Sequence, residues 1–447
     1  MTKTRPIRAA CCLALPILAA SAAPALAEAA PPTIDSGDTA WMIAATGLVL
    51  MMTIPGLALF YCGMVRKKNV LATMAQSLLC TMLCSILWVI VGYTLAFNGD
   101  NALIGNLDKV MLRGIGMDAI APTTKIPEIL FMAYQMTFAI ITVALVAGSV
   151  ADRMRFSAFV WFAALWLLFV YVPIAHWVWG GGWLTPDPAT MKPGILDFAG
   201  GTVVHLNAGV AGLVAAYVIG KRYGYGTDNF APYDLSLAVI GTGLLWVGWF
   251  GFNGGSALGA NSRAAFAIVA THLAASTGAL TWMALEWWTR GKPSVLGMIS
   301  GAVAGLGTIT PASGFVLPMQ AVLIGIIAGA ICFWACTWLK LKIGYDDSLD
   351  VFGVHGIGGF TGTLLAGVFA VGALSATPET PGGIPGLLEG NPQQVVAQLY
   401  GIAVTLLWSG VVTFVILKAI SALVPLRVKQ EDEVMGLDVS QHGEAIQ

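Results

Sequence analysis

Eleven stretches of this chain are apolar over lengths that match a bilayer crossing of about 20 residues. They run over 39–64, 70–97, 127–150, 156–178, 197–220, 233–256, 262–288, 294–312, 318–340, 350–374 and 395–424. In hydrocarbon a segment must satisfy its own backbone N–H and C=O groups, which a helix does. Serial runs of this kind therefore predict an all-α polytopic membrane protein with eleven transmembrane helices. Charge agrees with that reading. The 447 residues hold 22 Lys+Arg and 23 Asp+Glu, or 10% charged, against about 25% in soluble domains. A soluble fold of this size would be left with aggregating apolar patches. The net charge of −1 excludes the basic face that nucleic-acid binding requires.

Residues 1–27 read as a removable signal peptide: Lys3, Arg5 and Arg8, an apolar run, then Ala25-Leu26-Ala27 at the cleavage site. Cleavage would leave an eleven-helix domain over 28–424, its N-terminus outside, and a cytoplasmic tail over 425–447. Basic residues test that orientation. The segments assigned inside carry Arg66, Lys67, Lys68, Arg153, Arg155, Lys221, Arg222, Arg290, Lys292, Lys340, Lys342, Arg427 and Lys429. Those assigned outside carry Lys109, Arg113, Lys125, Lys192 and Arg263. This is a positive-inside bias, and an even number of spans would put Arg427 and Lys429 on the wrong side.

A weak internal repeat is visible. Asp197-Phe-Ala-Gly-Gly-Thr-Val-Val-His205 in span five matches Asp350-Val-Phe-Gly-Val-His355 in span ten. Phe60-Tyr61-Cys62-Gly63 in span one matches Phe250-Gly-Phe252-Asn253-Gly254 in span six. Five is odd, so the second unit is inserted upside down, with the functional site expected near the midplane between the halves. Span eleven falls outside the repeat and is expected to brace the bundle. Gly297-x-x-x-Gly301-x-x-x-Gly305 and Gly358-x-x-x-Gly362 predict close helix contacts. Cys80/Cys84 and Cys332/Cys336 are i,i+4 pairs in apolar runs; with Cys62, and with Cys11 and Cys12 near the start, they read as small packing residues, since no metal-ligand spacing accompanies them.

Two histidines, His205 and His355, sit inside spans at related places in the two halves. A buried histidine can simply be hydrogen-bonded within a bundle. Recurrence in both halves favours the alternative, a pair lining a pore as a neutral polar strip. His176 and His272 lie nearer span ends and His442 in the tail, so interface or solvent exposure is expected for them. A second cluster gathers at the outer ends: Tyr134 and Phe138 at i,i+4, Trp179 before three glycines, and Phe252 with Ser256. These residues can belong to an ordinary interfacial belt, or form an aromatic cage for a compact cation. Asp197 is expected to cap span five, and it can add negative potential to the same vestibule.

These motifs, with Thr53-Ile-Pro-Gly-Leu-Ala-Leu-Phe-Tyr61, Gly248-Trp-Phe-Gly-Phe-Asn253 and the tail Gly436–Gly443, resemble the ammonium transporter (Amt/Mep/Rh) family, of the bacterial Amt type. The resemblance implies a homotrimer in the bacterial inner membrane with one pore per protomer. It implies His205 and His355 as twin pore histidines, and Trp179, Phe138, Ser256 and neighbouring Tyr134 as an ammonium recruitment site. Phe138 and Phe252 become the gate, with Asp197 the acidic residue below it. It also implies a cytoplasmic PII signalling protein as partner and no cofactor or metal. Tyr134 stands where many members have Phe, and Leu349 is bulkier than usual before Asp350. Ammonium resembles potassium but can lose a proton, so a cage followed by an apolar pore selects for the species able to become neutral. A passive Rhesus-type gas channel and a sensor acting through a recruited protein are the alternatives. An enzyme finds no support in any nucleophile, metal-ligand or phosphate-loop pattern.

Overall fold

A computed structural model describes residues 33–186, 194–377 and 380–446. The signal peptide expected over 1–27, with Cys11 and Cys12, and also Lys192, lie outside the described residues. Among those described, the regular structure is helical, with two isolated β-bridges and no strand. Eleven apolar helices follow one another: α1 (Ser36–Met64), α2 (Lys67–Phe97), α3 (Glu128–Val150), α4 (Phe156–Trp179), α5 (Gly201–Ile219), α6 (Leu235–Gly255), α7 (Ser262–Arg290), α8 (Val295–Ile309), α9 (Pro318–Ile343), α10 (Phe352–Phe369) and α11 (Pro392–Leu423).

Ten of these helices are long and apolar enough to cross a membrane. The other, α8, has 15 residues, about 22 Å at 1.5 Å per residue, short of a hydrocarbon core of about 30 Å. It stops at Thr310 because Pro311 has no N–H to continue the ladder. The sequence expectation of a full span over 294–312 thus overruns it.

Two helix pairs organise the bundle, and each joins a helix to its repeat equivalent. Along α1 and α6, a Cβ on Gly63 would meet Ala238 N at 2.6 Å, and one on Gly251 would meet Leu48 Cβ at 2.6 Å. The contacts run in opposite order along the two chains, so the pair is antiparallel. Along α5 and α10, Gly209 abuts the backbone of Gly356, while a Cβ on Gly359 would meet Leu206 N at 2.6 Å and His205 Cβ at 2.9 Å. This pair is antiparallel as well, the relation an inverted repeat produces. The glycines flagged by spacing behave as expected: Gly301 lies against Trp282 of α7, and Gly358 against Thr308 of α8. Cys62, Cys80, Cys84 and Cys332 are buried free thiols.

The tail folds back on the bundle. Arg155 N donates to Leu426 O at 2.9 Å and Val428 N to Arg153 O at 3.1 Å. In α12 (Gln430–Met435), Glu433 accepts from Tyr223 N and from Arg427 Nη2, both at 2.8 Å. Asp438 then accepts from Ala72 N at 2.8 Å. The tail therefore ties the start of α2 to the α3–α4 and α5–α6 loops. His442, expected at an interface or in solvent, is half-buried with its ring 4.8 Å from that of Phe156.

Candidate functional site

Both histidine helices open on an aspartate. The Asp197 carboxylate accepts from Gly200 N (2.8 Å), Gly201 N (2.5 Å), Thr202 N (2.8 Å), Thr202 Oγ1 (2.5 Å) and Val203 N (3.2 Å). It satisfies nearly all the donors that a helix start leaves free, with Gly200 in the left-handed region (φ 115°) to bring the chain round. Asp347 Oδ2 accepts from Phe352 N at 2.7 Å and opens α10. The repeat register read from sequence, Asp197 with Asp350, is therefore corrected to Asp197 with Asp347. The eight-residue spacing Asp197–His205 recurs as Asp347–His355, whereas Asp350 has a φ of 58° and accepts from Lys340 Nζ at 2.7 Å. Each helix then begins with a wide π-type turn, Gly201–Leu206 and Phe352–Gly356, a distortion frequent at functional sites. His205 and His355 each sit within one of these turns.

The two rings meet in the interior. Their Nδ1 atoms are 3.2 Å apart and the planes are 13° from parallel, with exposures of 1% for His205 and 3% for His355. One Nδ1 must donate and the other accept, so two neutral rings of opposite tautomer fit this contact. One Nε2 is then a donor and the other an acceptor; those roles exchange only when a proton arrives at the acceptor Nε2, the shared proton crosses between the Nδ1 atoms, and a proton leaves the donor Nε2. Trp249 stacks on His205 at 5.4 Å, held by Nε1 donating to Thr310 Oγ1 at 2.8 Å. The rings line a lumen otherwise built of Leu, Ile, Val, Met and aromatic side chains, among them Leu57, Ile141, Leu145 and Val303. Its volume is about 10 Å³, room for one water at most.

A vestibule of about 810 Å³ opens at the end away from the tail, lined by Phe138, Trp179 and Ser256. Phe138 stacks on Phe252 with centroids 4.1 Å apart, and Phe252 lines the lumen beneath. The pair thus separates vestibule from lumen. Trp179 meets Phe138 edge-on at 5.8 Å. Tyr134 does not line this vestibule. Its ring packs on Phe138 and its hydroxyl lies 2.8 Å from Phe252 O, 3.0 Å from Gly251 O and 3.3 Å from Ser256 Oγ. Asp197 does not line it either, since its carboxylate is spent on the helix start.

At the tail-side end a second vestibule, of about 240 Å³, reaches His355 and is lined by Glu286, Cys336, Leu349 and Asp350. Leu349, flagged from sequence, does stand in this wall. Behind it Asp347 is fully buried; desolvation raises its carboxyl to about 6, against the pull of Lys340 and with help from Asp350.

Two features escaped sequence reasoning. Trp249 supports His205 and lies three residues before Phe252 on one helix face, a spacing that could have flagged it. His176, expected at an interface or in solvent, is fully buried. Its ring nitrogens lie 2.9 Å from Ala96 O and 2.6 Å from Asn101 O, which fixes the α2–α3 loop against α4. Among the described residues no group of three or more His, Cys, Asp and Glu is placed to hold a metal.

Residues 40–446 match the model of the Ammonium Transporter Family. The chain is 48% identical over 419 residues to the ammonium transporter of Aquifex aeolicus, covering 94% of this chain and 95% of that one. It is 48% identical over 411 residues to that of Bacillus subtilis, covering 92% and 98%. The crystal structure of Saccharomyces cerevisiae Mep2 superposes with a TM-score of 0.81 at 38% identity, over 90% of this chain and 89% of that one. A family match over residues 40–446 and relatives similar in both sequence and fold agree: the chain belongs to the ammonium transporter family.

Proposed function

We propose that ammonium is held in the vestibule beside Phe138, Trp179 and Ser256, gives up its proton there, and crosses as ammonia past the Phe138–Phe252 stack and along His205 and His355. The observation that carries this reading is the lumen: two buried histidines in an otherwise apolar passage with space for one water. An unpaired cation in such a passage would lose its hydration with no compensating charge, a cost of many kcal/mol. Ammonia keeps its hydrogen bonds, accepting from a donor Nε2 or donating to an acceptor Nε2. His205 Nε2 is buried without a protein partner, which suits such a visitor. Potassium has no neutral form and is rejected at the same point. The pair also offers a proton a relay in which one enters at the acceptor Nε2, the shared proton crosses between the Nδ1 atoms and another leaves from the donor Nε2, each ring ending neutral with its tautomer reversed.

In this reading the 810 Å³ vestibule faces outward and the tail is cytoplasmic, in a bacterial inner membrane. The protomer works within a homotrimer, and the tail-side surface is where a PII signalling protein docks. Tyr134 tunes the recruitment site only through Ser256 and the α6 carbonyls. Stopped-flow ammonia flux into proteoliposomes bearing His205→Ala or His355→Ala tests the reading. Lost flux, or flux accompanied by potassium leak, is expected; unchanged flux and selectivity in both variants would overturn it.

A further inference from the structure

The vestibule that holds Phe138, Trp179 and Ser256 has a cation in its own wall. Arg263, the second residue of α7, lines it and is half-buried. Arg66, Arg222, Arg290 and Arg427 each pair with a carboxylate. Arg263 does not. Its guanidinium carbon lies 4.8 Å from the ring centroid of Phe198 and 4.6 Å from that of Phe315, and its Nε donates to Gly314 O at 2.9 Å. Among the described residues its terminal nitrogens make no hydrogen bond and no carboxylate forms a salt bridge with it.

The seat is close-fitting and is joined to the recruitment residues. A Cβ on Gly314 would meet the Phe198 ring at 2.3 Å, and Phe198 N donates to Pro311 O at 3.0 Å. Phe198 follows Asp197, whose carbonyl accepts from Trp179 Nε1 at 2.8 Å. One two-residue segment thus holds both the Trp179 indole and a ring under the guanidinium. Ring faces attract a guanidinium without cancelling its charge, whereas a carboxylate partner would neutralise it. The other charged groups of this wall are Asp100, which is exposed, and Lys109, which pairs with Glu128; neither contacts Arg263. Repulsion from a fixed charge grows in proportion to the charge of the visitor. A dication is therefore opposed twice as strongly as ammonium, and ammonia not at all.

We infer that Arg263 selects by valence: it keeps hydrated divalent cations such as magnesium out of the vestibule while weakening ammonium binding only slightly. The inference rests on the reading above that this vestibule takes up ammonium. Ammonia flux into proteoliposomes tests it, measured against ammonium concentration and against added magnesium at matched ionic strength. In Arg263→Gln and Arg263→Met the half-saturation for ammonium should fall on the order of 3-fold with maximal flux unchanged. The magnesium concentration that halves the flux should fall by about the square of that factor, on the order of 10-fold. Arg263→Lys keeps the charge and should match the unmodified protein in both. The gap between neutral and charged variants should close in about 0.5 M inert salt, where the screening length is a few ångströms. Thermal unfolding in detergent identifies a misfolded variant, and two neutral replacements keep the test open if one of them misfolds. Unchanged half-saturation and magnesium sensitivity in the neutral variants would overturn the inference alone. So would the same changes in Arg263→Lys, or a lowered maximal flux with half-saturation unmoved, since either would make Arg263 a packing residue. Flux in the unmodified protein that never saturates with ammonium would overturn the recruitment reading together with this one.

Discussion

Replacing Asp197 with Ala separates two roles that the sequence left open, helix cap and source of vestibule potential. The carboxylate is 6% exposed and accepts from four backbone N–H groups and one hydroxyl. Loss of a cap costs about 1 kcal/mol, and each buried donor left without an acceptor adds roughly 1–3 kcal/mol unless water reaches it. Even with partial hydration the total is about 3–5 kcal/mol, among the large single-site effects. The damage falls on the wide turn that aims His205, so transport should fail at every ammonium concentration. Thermal unfolding in detergent and ammonia flux over a range of ammonium concentrations read both consequences. A normal melting temperature with only a raised half-saturation, restored at high ammonium, would refute the cap argument and reinstate the vestibule role.

Tyr134→Phe removes a hydroxyl already engaged by α6, so it should cost about 1 kcal/mol of stability and leave flux intact; abolished flux would show that the hydroxyl acts directly on the cargo. Gly209→Val drives a branched side chain into the Gly356 backbone with no soft neighbour to yield, so the variant should not survive size-exclusion chromatography as a folded species, whereas normal stability would refute the close α5–α10 crossing. Asp347 binds its proton up to about pH 6, above its ordinary 3.8, chiefly through burial. The folded state thus holds more proton than the unfolded one between those values, and its contribution to stability declines as pH rises through that window. Asp347→Asn should flatten the fall in melting temperature from about pH 4 to 6, and an unchanged slope would contradict the assignment.

Much of the molecule is legible in the sequence because hydrophobic run length and basic-residue placement are physical requirements of a membrane helix bundle. His205 and His355 stand out because an ionisable group in a span is costly. Phe138, Trp179 and Phe252 stand out because they are aromatics clustered at one end of the spans. What stayed hidden depends on three-dimensional proximity. Asp350 seemed the counterpart of Asp197 because it lies nearest His355 in a similar run of residues, yet the backbone N–H at the start of α10, that of Phe352, bonds to Asp347. The burial of His176 depends on a loop that passes over it, and periodicity carries no trace of that. Tyr134 looked like a cage hydroxyl until the carbonyls of Gly251 and Phe252 claimed it. The short α8 was overrun because Pro311 lies within an apolar stretch whose hydropathy does not register a missing N–H.

The claim that the passage admits only what can shed its charge is tested most directly by solid-supported-membrane recordings on proteoliposomes given matched ammonium and potassium pulses, with ammonia flux followed in parallel. The account predicts ammonia accumulation with ammonium and no current with potassium, however steep its gradient. An ammonium-evoked current would place the proton on a parallel route, and silent flux would assign the passive gas-channel mode. A potassium current in the unmodified protein, comparable to that with ammonium, would contradict the account.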